Sequence, residues 1–392
     1  MGARLAHLDV LRAVAVLAVL ASHMFVVPRD MNWAVVATAD FFKAHGGLGV
    51  DLFFVLSGFL VSGLLFREAH AHGSVDTKRF LIRRGLKIYP AFYVFLVITV
   101  LLRVNRGSVF SAAELLGEGL FLQNYAPSVW THTWSLAVEE HFYLLLVGLV
   151  FLLMRIRPAA PFASLGTIFA AVAGVVIALR IATFKLVVPF ANKTHAFPTH
   201  LRLDALLFGV LLAHYYYSRP GFGAFFARHR WAIGAASVVV LVASQSIPGD
   251  LWRYALGFSL VYVGFGGIVM IAVTTPPAAW RPIAVTVGAV AAIGSFSYSI
   301  YLWHTAVKVF GALLLDKVAG PNVSYSFRCA YYLTSSLIVG VVMAKAVEFP
   351  VLRLRDRWFP SKSVGLRTEP WTGAPEPSSA DLYRRVGDGG SR

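Results

Sequence analysis

Arg12 and His23 stand eleven positions apart in an otherwise apolar stretch of this sequence. At about 100° per residue, a helix returns to within roughly 20° of the same face over that interval. At 1.5 Å per residue it separates the two groups by about 16 Å along its axis. Asp9, three residues before Arg12, shares the face. One side of a single helix thus carries an acid–base pair at its inner end and an imidazole toward its outer half. A buried imidazole with a carboxylate nearby suits proton abstraction from a hydroxyl, the carboxylate fixing the tautomer and stabilising the imidazolium.

Other apolar stretches add titratable groups at matching depths. Asp51 follows Gly46-Gly47-Leu48-Gly49-Val50, whose glycines permit close helix approach. Trp134 and Ser135 open a stretch that continues to adjacent Glu139 and Glu140, about 100° apart on a helix, so that one can face the interior. His200-Leu-Arg202-Leu-Asp204 enters another stretch, and Tyr301-Leu-Trp303-His304 leaves one. At the opposite level lie Arg79, Arg83, Arg84, Lys87 and Tyr89-Pro90, with Glu348-Phe349-Pro350 and Arg353. A charge at the centre of a spanning helix costs about 2.5–3.5 kcal/mol on insertion scales, so each such group is a site candidate.

Each candidate has a plainer explanation. Arg83, Arg84 and Lys87 serve as topology determinants, and Trp134, Phe142, Tyr301 and Trp303 as interface aromatics. Asp9–Arg12 and Arg202–Asp204 simply pair, His23 is an interhelical donor, and His200 and His304 are solvated helix ends. Their coincidence on two levels of one bundle favours a site. A cationic inner mouth of Arg12, Arg83, Arg84, Lys87 and Tyr89 suits a phosphorylated donor held by charge-assisted hydrogen bonds.

The elements that must position these groups are membrane helices. Of 392 residues, 58% are hydrophobic and 14% charged, whereas about 25% are charged in a typical soluble domain. The apolar residues form runs close to the roughly 20 residues that cross hydrocarbon as a helix. Leu8–Val27, Leu48–Phe66, Leu86–Leu102, Leu136–Met154 and Phe162–Leu179 are the first spans expected. Leu201–Tyr217, Trp231–Ile247, Leu251–Val273, Ile283–Trp303 and Phe327–Val347 follow, and the shorter Thr305–Leu315 reads as interfacial or re-entrant. The fold expected is an all-α integral membrane bundle of about ten helices. Loops on one side carry most of the 35 Lys and Arg, which places both termini in the cytoplasm of a multi-pass protein of the inner (plasma) membrane. The N-terminal run continues through Met24–Val27 and reads as an uncleaved span rather than a signal peptide. Residues 1–357 form the transmembrane domain, and 358–392, rich in Pro, Gly, Ser and charge, read as a disordered cytoplasmic tail.

Several chemistries are disfavoured. No His-x-x-x-His or comparable ligand spacing suggests a metal, and the single Cys329 offers neither a disulfide nor a thiolate site. No Gly-rich phosphate loop precedes a Lys-Ser/Thr. The net charge of +16 follows from the positive-inside bias and attraction to anionic lipid, with part of it available to an anionic substrate. Basic residues are scattered among short loops, which does not suit nucleic acid.

The ordered set of motifs resembles the acyltransferase-3 family. It comprises Leu8-Asp9-Val10-Leu11-Arg12 with His23, Gly49-Val50-Asp51 running to Ser57-Gly58-Phe59, Arg84 with Tyr89-Pro90, Trp134-Ser135-Leu136 with Glu139-Glu140, and Tyr298-Ser299-Ile300-Tyr301-Leu302-Trp303-His304. The likeness covers Leu5 to Arg357. It implies transfer of an acyl group, usually acetyl from cytoplasmic acetyl-CoA or another acyl-CoA, to a hydroxyl of a surface polysaccharide, glycolipid or macrolide. By match to the motifs, His23 is the catalytic imidazole, as base or acyl carrier, Arg12 acts at the donor, and Asp51 and Glu139 or Glu140 support catalysis. Asp9, Trp134, Ser135, Arg202, Asp204 and His304 are then expected at the acceptor. Ala13 replaces a frequent Gly, the fourth-span Pro is missing, and no SGNH-type esterase domain is expected, so that a relay through one either needs a separate protein or is not used. The alternatives are a proton-coupled secondary transporter, in which His23 and the acids relay protons, and a non-catalytic sensor or scaffold. No inverted repeat supports the transporter. The sequence leaves the oligomeric state open.

Overall fold

The computed structural model describes residues 3–219, 221–276 and 284–362, with side chains from residue 6. The greater part of the expected tail, residues 363–392, lies outside the described residues. All regular structure described is helical: α1 (Ala3–Ser22), α2 (Trp33–His45), α3 (Leu48–His72), α4 (Thr77–Val104), α5 (Ala112–Gly119), α6 (Trp134–Ile156), α7 (Leu165–Leu186), α8 (Asn192–His195) and α9 (Leu203–Ser218). There follow α10 (Phe222–Arg228), α11 (Arg230–Ser246), α12 (Asp250–Thr274), α13 (Ala284–Ser295), α14 (Ser297–Ala306), α15 (Ala312–Ala319), α16 (Tyr325–Met343) and α17 (Phe349–Trp358).

Among the described residues, six helices are long and apolar enough to cross a membrane, or up to seven if α10 and α11, bent by 86°, count as one. Local chemistry sets their ends. Asp76 accepts the Arg79 N–H at 3.0 Å to start α4, and Gly73 ends α3 at φ 63°, a conformation that costs an L side chain. α3 is the most enclosed helix: it packs against α1 on one side and α9 on another. At its crossing with α9 the glycines of the two helices face each other, and a Cβ on Gly58 would collide with the Leu206 carbonyl. That backbone approach is how membrane helices gain contact without a hydrophobic driving force.

Two expectations need correction. α1 ends at Ser22 rather than Val27, and His23, whose ring bonds the Val19 carbonyl at 2.9 Å, therefore sits at the helix terminus. Thr305–Leu315 is not a separate short segment. It continues α14 through a π turn at Val307–Gly311 into α15, and Ser297–Ala319 forms one apolar helical run of 23 residues. No proline interrupts it, and Gly311 stays in the right-handed helical region (φ −67°, ψ −39°). The break falls instead at Phe296, between α13 and α14.

Several charges inside the bundle are paired, which offsets their desolvation. Arg180 on α7 binds Asp204 on α9 at 2.8 Å and the Leu201 carbonyl at 2.7 Å. Arg202 pairs with Asp51 on α3. The connection between α4 and α6 is tied down by Glu118, whose carboxylate accepts the Val129 N–H at 3.0 Å and the Thr133 hydroxyl at 2.5 Å. Burial pushes the Glu118 carboxyl up to about 7.

Candidate active site

His23 is oriented by backbone. Its Nδ1 donates to the Val19 carbonyl at 2.9 Å, which leaves the lone pair on Nε2. A backbone carbonyl thus performs the orienting role expected of a carboxylate. Asp51 does not perform it, because Arg202 claims its carboxylate. Two more imidazoles stand beside His23. The His304 ring lies edge-on at 4.9 Å between centroids, and His132 follows at 5.0 Å from His304. His304 Nδ1 bonds the Tyr301 carbonyl at 2.5 Å, while its buried Nε2 has no hydrogen-bond partner. His132 uses Nε2 toward the Leu302 carbonyl at 3.1 Å and Nδ1 toward the Thr305 hydroxyl at 2.9 Å.

His23 opens on a cleft of about 2120 Å³, which includes open solvent. Asp51, Trp134, His132, Arg202, Tyr301 and Thr305 also line it, with aromatic walls from Phe197, Tyr254 and Phe258. Trp134 is stacked on Phe197 at 4.5 Å and 12°. The Arg202 guanidinium lies 4.0 Å over the Phe258 ring, and its Nε and Nη1 are buried without hydrogen-bond partners. Asp204 does not line this cleft: its carboxylate is consumed by Arg180 and by the Ala205 N–H at 3.0 Å. Its place as the second residue of α9 turns it toward Arg180 of α7 instead.

A second cavity, about 780 Å³ including open space, lies at the Arg12 end of α1. Arg12, Arg84, Lys87, Glu139, Glu348, Ser57 and Ser135 line it. Arg12 also holds Asp9 at 3.2 Å, and Asp9 does not itself line the cavity. Arg84 reaches Glu139 at 3.2 Å and hydrogen-bonds Tyr143, while Glu139 accepts from Ser57 at 2.6 Å and from Tyr143 at 2.9 Å. The cavity's charge is therefore mixed, with the guanidinium and ammonium groups in excess.

Several expected site residues stand elsewhere: Ser135, expected at the acceptor, lines the Arg12 cavity, His304 stands beside His23 without lining its cleft, and Tyr89, expected at the donor, lines neither space. Glu139 belongs with Arg84 at the Arg12 end and not beside His23. Glu140, one residue on, faces a different groove with Tyr89, to which it is hydrogen-bonded. Arg83 turns away from the cavity to Asp356 at 2.9 Å and the Phe359 carbonyl, fastening α17 to α4. Neighbours in sequence on a helix diverge by about 100°, so a basic or acidic pair supplies one member to a cavity. His132 was missed by the sequence reading because it sits in a short turn, Thr131–Thr133, with no periodicity to place it.

Val50 and Tyr301 line both cavities. The two spaces thus adjoin along one helix, α1, with a guanidinium in one and an imidazole in the other.

Residues 5–346 match the family described as an acyltransferase domain. The chain is similar to the peptidoglycan O-acetyltransferase OatA of Listeria monocytogenes, at 26% identity over 368 residues, covering 88% of this chain and 55% of that protein. It is 30% identical over 331 residues to the putative O-acetyltransferase SACOL0978 of Staphylococcus aureus, covering 77% of this chain and 50% of the relative. To the O-acetyltransferase OatA of Staphylococcus aureus it is 28% identical over 325 residues, with coverage of 77% and 50%. The chain spans about half the length of these curated relatives. No solved structure matches it.

Proposed function

The chain belongs to the acyltransferase-3 family of integral membrane O-acyltransferases, and from that premise we propose that it carries acetyl from cytoplasmic acetyl-CoA to a carbohydrate hydroxyl presented on the far side of the membrane. The observation that carries this reading is the pair of adjoining cavities, one lined by Arg12, Arg84 and Lys87 and the other by His23. Phosphates of the donor fit the first by charge. A sugar fits the second, where Trp134 and its aromatic neighbours offer flat faces to the C–H face of a pyranose. A relative bears the name of a peptidoglycan O-acetyltransferase, which favours a glycan acceptor over a macrolide.

The proposed chemistry follows from the His23 tautomer. The acceptor hydroxyl gives its proton to Nε2 as its oxygen bonds to the thioester carbonyl carbon. The carbon–sulfur bond breaks, and the proton passes from the imidazolium to the leaving thiolate. The Val19 carbonyl holds the ring in place throughout.

The proposed topology has ten crossings: α1, α3, α4, α6, α7, α9, α11, α12, the run from α13 through α15, and α16. Extension of the ninth crossing by Thr305–Leu315 keeps the number even, so both ends lie in the cytoplasm with the Lys- and Arg-rich loops. Acyl transfer in purified, folded protein is the test. His23→Ala is expected to lower CoA release with a peptidoglycan fragment by about a thousandfold, the middle of the range for a lost general base. Retention of wild-type release in that variant would sink the reading. A burst of CoA before acceptor is added would replace the base mechanism with an acyl-imidazole.

A further inference from the structure

Between the Arg12 cavity and the His23 cleft stands a narrow partition. Val50 from α3 and Tyr301 from α14 line both spaces and are only 8% and 5% exposed. Both are held stiffly. Val50 follows Gly49, where a Cβ would lie 3.1 Å from Val19 of α1 and overlap the Ala15 carbonyl. That close approach presses α3 onto α1, and a β-branched side chain has little rotamer freedom with which to withdraw. Tyr301 is pinned by its hydroxyl, which donates to the His132 carbonyl at 2.7 Å and meets the Ser135 hydroxyl at 2.6 Å. Its ring lies 6.2 Å from Phe53 on the donor side and 5.6 Å from His304 on the His23 side.

We propose that Val50 and Tyr301 form the constriction through which the acyl end of the donor passes, and that its width restricts transfer to unbranched acyl groups. This deepens the acyl-transfer reading above and rests on it. A donor held at Arg12 must present its carbonyl at His23, so the acyl group leads the way through the partition. A linear acyl chain has the cross-section of the methylene arm that follows it. Length therefore adds little resistance, because the cleft beyond is large. A branch at the α-carbon adds a methyl to the cross-section, and tightly packed walls resist even one added methyl.

The experiment compares acetyl-, butyryl- and isobutyryl-CoA in purified full-length protein with a peptidoglycan glycan fragment as acceptor. Wild type is expected to use butyryl nearly as well as acetyl and isobutyryl about tenfold less well, the discrimination available from one methyl group. Val50→Ala should raise the isobutyryl-to-acetyl ratio of kcat/KM by about tenfold. Val50→Ile should move the other way, lowering acetyl and butyryl transfer while binding of free CoA is unchanged. The opposite signs separate a constriction from general damage to the fold. Leu101→Ala, at an exposed position 63% accessible, should leave the ratio alone. Equal use of butyryl and isobutyryl by wild type, or an unchanged ratio in Val50→Ala, would overturn the constriction alone. Failure of wild type to release CoA from any of the donors would overturn acyl transfer and the constriction together.

Discussion

Glu139 and Glu140 are adjacent and yet serve different spaces. Glu139 is the counter-ion of Arg84 in a cavity where Arg12, Arg84 and Lys87 outnumber the two acids, Glu139 and Glu348. Glu139→Gln keeps the volume and an acceptor oxygen for Ser57 or Tyr143, but leaves the buried Arg84 guanidinium without its paired carboxylate. Such a loss costs about 3 kcal/mol in a buried pair, so the thermal midpoint of the variant in detergent should drop. If the cavity takes the phosphates of the donor, saturating CoA supplies the missing anion and should stabilise the variant more than wild type. Equal stabilisation of both proteins by CoA would remove Arg84 from the donor site. The sequence could show that these acids are adjacent in an apolar helix, but not which one turns inward. A helix that is apolar all round has no polar face to fix its rotation. Asp51 illustrates the same limit: its depth was legible, whereas its partner Arg202, 151 residues away, was not.

At the scale of elements, the link between α4 and α6 decides where Trp134, Ser135 and His132 stand. Glu118 holds that link, with its carboxylate buried against the Val129 and Trp130 N–H groups and the Thr133 hydroxyl. Burial lifts its folded-state pKa from 4.5 to about 7, so the folded link binds a proton more tightly than the unfolded chain. The stabilisation from that proton is complete below about pH 4.5 and is lost as pH rises through about 7, a span of order 3 kcal/mol. Hydrogen-exchange protection of residues 105–133 should accordingly fall across this window in wild type. Glu118→Gln should be flat over the same range, and a wild type equally protected at both ends would contradict the buried-acid account. Helix positions themselves were mostly readable, because long apolar runs leave few options. The exceptions were the end of α1 at Ser22 and the run Ser297–Ala319, which passes through a π turn. Neither leaves a compositional trace.

For the molecule as a whole, the proposed transfer brings two substrates to one bond from opposite sides of a membrane, and the Arg12 cavity and the His23 cleft adjoin along α1. The reading requires the Arg12 cavity to face the cytoplasm and the His23 cleft to face the other side. Loop charge points that way: the end of α3 and the start of α4 carry Arg67, Lys78, Arg79, Arg83 and Arg84, and this corner fastens to α17 through Arg83–Asp356 and to the residues after it through Lys362–Asp76. The order of α3, α4 and α6 then puts Ser74 and Ser111 on opposite faces, both exposed. Single cysteines at these positions, in a background where the buried Cys329 is replaced by Ser, give a direct measurement. Ser111→Cys should react with a membrane-impermeant maleimide in intact cells. Ser74→Cys should react only after permeabilisation, with CoA release retained in both variants to certify the fold. The reverse pattern would put Arg12, Arg84 and Lys87 outside, away from any cytoplasmic acyl-CoA. Labelling of both positions in intact cells would mean that α4 does not cross, and the shared partition of Val50 and Tyr301 would then have no donor side.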